Sequence, residues 1–186
     1  KREYLPYLTT KNPNLACTAI NETRADYNLE RPEEVSEDLT RISTSGVRKD
    51  GQVIINGSKD YIINGAVAKF ILVLGRSSDS KHKSRLQYYL VPNPNPGVKV
   101  AEVLRKAGMR SCHTVKLDFQ DVTIPESHIV GEGGGYLLLM QSFDRNRTLL
   151  AAIGVGIAKA AYELALDVAK TNGVFNRTNS YSYHVS

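Results

Sequence analysis

Hydrophobic and polar positions change their period once along this chain, near residue 134. Before that point, short apolar or alternating runs recur at roughly 8–12 residues with turn signals between them, which is typical of an all-β sandwich or barrel. After it, apolar residues from Leu139 to Val168 recur at steps of three or four, the period of a long amphipathic helix. The pattern predicts an α+β chain, with an antiparallel β-sandwich or barrel domain followed by a long helix of an incomplete helical bundle.

The β-rich part contains eight predicted strands and three two-residue turn signals. Asp50-Gly51, Asn56-Gly57 and Asn64-Gly65 each follow a short apolar or alternating run, and such dipeptides favour tight hairpin turns. The predicted strands are Leu15–Ile20, Leu39–Arg48, Gln52–Ile55, Lys59–Ile63, Ala68–Gly75, Leu86–Val91, Val98–Val103 and Val115–Val122.

The stretch Val103–Tyr136 joins the two architectures. Its glycine-rich segment, residues 131–135, precedes the predicted helix and suits a phosphate cradle, but it lacks the spacings of known phosphate-binding loops. A connecting turn is the favoured interpretation. The predicted organisation is the end of a preceding helix in residues 1–13, a β-domain in 14–133 and the start of a helical domain in 134–186.

Composition narrows the class of protein. Of the 186 residues, 41% are apolar and 23% are charged, so a folded core is expected. The net charge of +5 comes from scattered Lys and Arg, which argues against nucleic-acid binding and leaves an anionic small ligand open. Cys17 and Cys112 are interpreted as small buried hydrophobes in a reducing compartment, and no metal site is predicted.

No targeting or membrane segment is predicted. The first residues, KREYLPYL, lack the apolar core of a secretory signal. The longest apolar run, around Leu149–Ala161, is interrupted by Gly154, Gly156 and Lys159, and it is shorter than a bilayer span requires. A soluble protein is expected.

The residues alone indicate little chemistry. The four histidines are isolated from any nucleophile motif, so structural or surface roles are favoured. Asp144 and Arg147 are three residues apart on the predicted helix and can share a face. A surface salt bridge and a ligand site for an anion or amide both remain open at this point.

Four motifs occur in an order that is characteristic of one family. They are Gly108-Met109-Arg110-Ser111, then Leu117–Pro125, then Gly131–Tyr136, and finally Arg147 followed by Ala151-Ala152 and Gly154. This order resembles that of the acyl-CoA dehydrogenases, where it marks the end of the middle β-domain and the first long helix of the C-terminal bundle. The segments Val53–Lys59 and Ile63–Ala66 are similar to the hairpin that precedes that family's flavin-contacting strand.

The resemblance implies FAD-dependent α,β-dehydrogenation of an acyl-CoA thioester. It also implies electron transfer to an acceptor such as an electron-transfer flavoprotein, a homo-oligomer (dimer or tetramer), and a bacterial cytoplasmic or mitochondrial matrix location. Carried over position by position, the flavin-contacting residues fall on Thr18, Ala19, Ile20, Asn21, Tyr61, Ile62 and Ile63. The substrate-contacting residues fall on Asp26, Tyr27, Asp144 and Arg147.

Several positions depart from the family pattern. Asn21 stands where Thr is usual, Ile63 replaces a hydroxyl residue, and Asn172 and Val174 replace the Arg and Gln that reach a neighbouring subunit's FAD. Asn146 occupies the position at which some members carry the Glu base, so the chain is expected to hold no catalytic residue and to be a fragment of a longer protein. The alternative hypothesis is a degenerate, non-catalytic module of the same fold that binds acyl-CoA or serves in oligomerisation.

Overall fold

The computed structural model describes residues 4–11, 14–23, 42–78 and 86–171. Within these ranges a short 3₁₀ helix, Glu126–His128, precedes the last strand. The elements are helix α1 (Leu5–Leu8), strands β1 (Ala16–Ala19), β2 (Ser45–Lys49), β3 (Gln52–Ile63), β4 (Phe70–Ser77), β5 (Leu86–Pro92), β6 (Val98–Val103), β7 (Thr114–Pro125) and β8 (Ile129–Val130), and helix α2 (Gly135–Thr171).

The strands form one eight-stranded sheet in the order β6-β7-β3-β2-β4-β5-β8, with β1 also paired to β4. The predicted fold class, a β-domain followed by a long helix, is confirmed. The sheet is mixed rather than purely antiparallel, because β1 and β2 both run parallel to β4. They lie one after the other along the same edge of β4, with β1 beside residues Phe70–Val73 and β2 beside Arg76 and Ser77.

Two of the three predicted turns are confirmed and one is wrong. Asp50-Gly51 closes the β2–β3 hairpin, and a turn begins at Asn64. The predicted Asn56-Gly57 turn is instead a bulge inside the continuous strand β3, where the register against β7 shifts. Gly57 has φ +147, and a Cβ there would lie 2.6 Å from the Cα of Thr44. The glycine therefore serves close packing of two backbone segments rather than chain reversal.

The core lies between the strands of this sheet. Buried residues from β1, β3, β4, β5 and β7 form a single cluster. Because these strands are not all neighbours in the sheet, the sheet must curve around its apolar face to bring them together. Cys17 belongs to this cluster, so its prediction as a small buried hydrophobe is confirmed; burial also raises its pKa to about 11, which keeps the thiol protonated. For Cys112 the same prediction is wrong, because this residue is only half-buried; neither cysteine forms a disulfide.

Helix α2 begins at Gly135 and continues for 37 residues. By length and composition it is apolar enough to cross a bilayer, so the prediction that this region is too short for a membrane span is wrong on that criterion. The apolar run Leu149–Ala161 is only the middle part of this helix, which extends on both sides of it. Core helices of soluble bundles share the same length and composition.

The chain divides into two compact units, Lys1–Leu139 and Met140–Ser186. The first unit contains the sheet and α1. The second contains most of α2, whose large apolar side chains from Leu149 to Val168 are mostly exposed among the described residues. The finer domain limits predicted from the sequence stay a prediction.

Candidate functional site

The first predicted cofactor segment lies at the end of β1. Ala19 pairs with Val73 of β4 and is fully buried, whereas Thr18 is exposed, as expected for alternate residues of a strand. Asn21, in the following loop, is also exposed. The loop is fastened to β3 through its carbonyl groups: the Ile20 oxygen accepts a hydrogen bond of 2.8 Å from the Lys59 ammonium, and the Asn21 oxygen accepts one of 2.9 Å from the Asp60 amide.

The second predicted cofactor segment is the end of β3, and a bulge determines how it is presented. The register between β3 and β7 shifts between Lys59 and Ile62, and Tyr61 has φ +58. Tyr61 and Ile63 are 62% and 55% exposed, whereas Ile62 between them is 1% exposed. A left-handed conformation is unfavourable for an aromatic residue, and such strain is concentrated at functional sites. The structure therefore places an aromatic and an aliphatic side chain on the surface beside the loop that follows β1.

A buried ion pair, which the sequence patterns do not predict, supports this junction. The Lys59 ammonium lies 2.8 Å from the Glu22 carboxylate, and the two side chains are 0% and 4% exposed. The carboxylate also accepts hydrogen bonds from the Ser43 amide and hydroxyl, at 2.7 and 2.6 Å, and from the Thr44 amide at 3.1 Å. Three separate segments, the loop after β1, the approach to β2 and strand β3, are thus held at one point.

The pair is charged despite its burial. Desolvation acts to raise the pKa of Glu22, but the attraction of Lys59 and the hydrogen bonds from Lys59, Ser43 and Thr44 lower it to about 2. Burial lowers the pKa of Lys59 from its ordinary value, against the opposing attraction of Glu22 and Asp60. The short contact and the fully hydrogen-bonded carboxylate favour the ionised form of both groups at neutral pH.

Asp60 extends this cluster toward the surface. Its carboxylate accepts hydrogen bonds from the amide of Thr23, at 2.6 Å, and from the Thr23 hydroxyl. Lys116 of β7 lies 3.7 Å away. A cavity of about 400 Å³ adjoins the cluster, lined by Glu22, Thr23, Ser43, Ser58 and Lys116. The signal in the sequence is the charged pair Lys59-Asp60, which lies inside strand β3 and only two residues before the apolar pair Ile62-Ile63.

A basic cavity adjoins the same end of β3. It has a volume of about 410 Å³, and Arg105, Lys106, Arg110 and His113 contribute to its lining; none of the described lining residues carries a carboxylate. The amide of Asn64 donates a hydrogen bond of 2.6 Å to the carbonyl of His113, so the loop that carries these residues abuts the turn after β3. Such a lining favours anionic ligands.

The predicted substrate residues are not brought together by the described structure. Asp26 and Tyr27 lie outside the described residues, as do Asn172 and Val174. Asp144 and Arg147 are exposed residues of α2 in the second unit. Their assignment as acyl-CoA contacts therefore stays a prediction.

The comparisons with known proteins agree with this geometry. The sequence model for "acyl-CoA dehydrogenase, middle domain" matches residues 32–122. Cyclohex-1-ene-1-carbonyl-CoA dehydrogenase of Syntrophus aciditrophicus (strain SB) is 31% identical over 178 residues, which cover 95% of this chain and 41% of that protein.

The chain belongs to the acyl-CoA dehydrogenase family.

Two further relatives show the breadth of the match. The short-chain specific acyl-CoA dehydrogenase of Mus musculus mitochondria is 30% identical over 167 residues, covering 89% of this chain and 38% of that protein. The solved structure of butyryl-CoA dehydrogenase from Megasphaera elsdenii superimposes with a TM-score of 0.73 at 27% identity, covering 84% of this chain and 39% of that one. The chain thus spans about two fifths of the length of the relatives it matches.

Proposed function

We propose that this chain is the flavin-facing part of an FAD-dependent acyl-CoA dehydrogenase, which removes two hydrogens from the α and β carbons of an acyl-CoA thioester. The observation that carries the proposal is the junction between the loop after β1 and the end of β3. There, both loop carbonyls are turned toward the sheet, while Tyr61 and Ile63 are presented on the surface.

The residues at this junction fit FAD, the cofactor of this family. The backbone N–H of Asn21 donates no hydrogen bond to any residue that the structure describes, so it is available to an electronegative edge of a ligand. The exposed Tyr61 and Ile63 offer an apolar surface to a flat ring system. The basic cavity beside Asn64 suits the phosphate groups that FAD and acyl-CoA both carry.

The bound flavin would supply the hydride acceptor for the reaction. The chain's own contribution is electrostatic and geometric: the Thr18–Asn21 loop and the Tyr61–Ile63 segment orient the ring, and a backbone donor stabilises the charge that develops at its edge. Asn146, at one position where a base is found in the family, cannot accept the α-proton. We therefore expect the base from elsewhere in a longer protein, consistent with relatives more than twice as long as this chain.

The proposed substrate and partners are those that membership of the family implies. We expect Asp26, Tyr27, Asp144 and Arg147 to contact the CoA or thioester, an electron-transfer flavoprotein or similar acceptor to reoxidise the flavin, and assembly as a homo-oligomer. The named relatives act on cyclic and on short acyl-CoA esters, which makes these two classes the first to test.

A specific observation supports the alternative of a binding module without redox activity. Ile63 is exposed and has no hydrogen-bonding group at a position where the family carries a hydroxyl, and Asn21 replaces a Thr in the loop. Such a module would bind acyl-CoA without retaining flavin.

Visible absorbance separates the two functions. The full-length protein should be yellow or become so on addition of FAD, and anaerobic addition of an acyl-CoA should bleach the flavin band. A protein that binds acyl-CoA but remains free of FAD after reconstitution would support the binding module and overturn the enzyme.

A further inference from the structure

We infer that Lys59, held by Glu22, is a positioning residue that acts on the flavin through one peptide group of this chain, Ile20–Asn21. The inference rests on the proposed function and adds a residue pair to it. Neither side chain is placed in contact with the flavin; both are buried behind the loop.

The geometry of a peptide group carries the first step. The Lys59 ammonium donates to the Ile20 carbonyl at 2.8 Å. The N–H of the same peptide group belongs to Asn21. Of the described residues, only the Asn93-Pro94 bond is cis, so the Ile20–Asn21 peptide is trans and its C=O and N–H point in opposite directions. A cation that holds the carbonyl toward the sheet therefore directs the Asn21 N–H away from it.

Polarisation is the second step. Withdrawal of electron density by an ammonium at a carbonyl oxygen makes the N–H of that peptide a better donor, because hydrogen bonds in series strengthen one another in a low-dielectric interior. Lys59 is fully buried, so water does not screen it. Asn21, in contrast, is exposed, and its amide has no acceptor among the described residues.

Glu22 is the third component. It fixes the ammonium in place and is itself held by Ser43 and Thr44. A buried ion pair is a weak source of stability compared with an apolar pair of similar volume. Stability alone therefore does not account for a charged pair at this position, whereas a role in orienting the Ile20–Asn21 peptide does.

The test compares the full-length protein with Glu22→Gln/Lys59→Met, which removes both charges together. Because no unpaired charge is left, the double variant should unfold near the parent's denaturant midpoint. It should nevertheless bind FAD about tenfold more weakly. Its preference for reduced over oxidised flavin should also fall about tenfold, which corresponds to a potential about 30 mV more negative for a two-electron couple.

Two further variants sharpen the test. Lys59→Arg retains a cation, so its equilibrium constant for flavin reduction should stay within about twofold of the parent's. If Lys59 acted through packing alone, the larger Arg side chain would not preserve this constant. Lys99→Met makes the Lys→Met change at an exposed residue of β6, whose ammonium contacts Gln120 and no other side chain that the structure describes, and it should alter neither affinity nor potential. If the double variant does not fold, Glu22→Gln/Lys59→Gln offers a neutral hydrogen-bonding pair, with the same losses expected.

A folded double variant with the parent's FAD affinity and potential would overturn the inference and leave the proposed function intact. A parent protein that binds no FAD would overturn both. Weaker binding and a lower potential in the double variant, with both retained in Lys59→Arg, would support the positioning role.

Discussion

Lys59→Met should destabilise the β-domain far more than the removal of a typical lysine, and the penalty should depend on pH. Methionine retains an unbranched apolar side chain in the buried space of Lys59 but removes the ammonium. The Glu22 carboxylate then stays buried without its counter-charge, although Ser43 and Thr44 still donate to it. Breaking a buried pair by removing one partner typically costs about 3–5 kcal/mol, and we expect a loss in this range at pH 7.

The pH dependence follows from Glu22. Its pKa is lowered from 4.5 to about 2 in the folded protein, so ionising Glu22 beside a charged Lys59 favours folding by about 3 kcal/mol at neutral pH. The net contribution of the pair is smaller, because burying both charges costs desolvation energy. Because the folded pKa lies below the unfolded one, this contribution is present above about pH 4.5 and is lost as the pH falls toward 2. In Lys59→Met, burial without a neighbouring cation raises the pKa of Glu22 instead. Protonation of Glu22 at low pH therefore stabilises the variant, whereas it destabilises the parent.

Urea denaturation followed by circular dichroism at pH 7 and pH 3 measures this difference. The gap in unfolding free energy between parent and Lys59→Met should be several kcal/mol at pH 7 and should shrink at pH 3. The exposed control Lys99→Met should stay within about 0.5 kcal/mol of the parent at both values. A gap that is small at pH 7, or equal at the two pH values, would refute an ionised, structurally important pair.

Other predictions concern backbone strain and ligand contacts. Tyr61→Gly should leave the unfolding midpoint unchanged or raise it, because glycine tolerates φ +58, while FAD titration should show weaker binding; a variant that binds FAD normally would remove Tyr61 from the site. Gly57→Ala should lower the free energy of unfolding by roughly 2 kcal/mol or more, the magnitude of an overpacked core, because the new Cβ would clash with Thr44. Gly51→Ala, where nothing lies within 4 Å of the new Cβ, should lower it by only about 1 kcal/mol. Equal losses for the two variants in thermal unfolding would contradict the close approach at Gly57. Arg147→Ala should lower acyl-CoA affinity in calorimetry by about tenfold while the melting temperature changes little, and unchanged affinity would exclude its proposed role.

The periodicity of the chain predicted most of the fold because alternation and helical spacing are local properties. Strands β4, β5 and β6 and helix α2 lie where the pattern placed them. The failures involve non-local geometry. Asn56-Gly57 has the sequence of a turn, yet the approach of Thr44 from a distant segment makes it a bulge. Likewise, no local pattern shows that β1 and β2 share one edge of β4 in parallel orientation.

The candidate site shows the same limit. The family resemblance identified the two segments that meet, Thr18–Asn21 and Tyr61–Ile63, but not what joins them. Glu22 and Lys59 are separated by more than thirty positions, and in the sequence each is one charged residue among many. Only the three-dimensional structure shows that both side chains are buried and in contact. The available signal is a lysine inside a strand segment, between Ser58 and Asp60, and it identifies no partner.

The flavin content of the full-length protein tests the central claim most directly. Purified protein, reconstituted with excess FAD and freed of unbound cofactor, should show the absorbance of bound flavin. Anaerobic addition of an acyl-CoA, with the cyclic and short-chain esters tested first, should bleach that absorbance. Protein that remains colourless after reconstitution would contradict the flavin site at the junction of β1 and β3, and bound flavin that no acyl-CoA bleaches would contradict the proposed dehydrogenation.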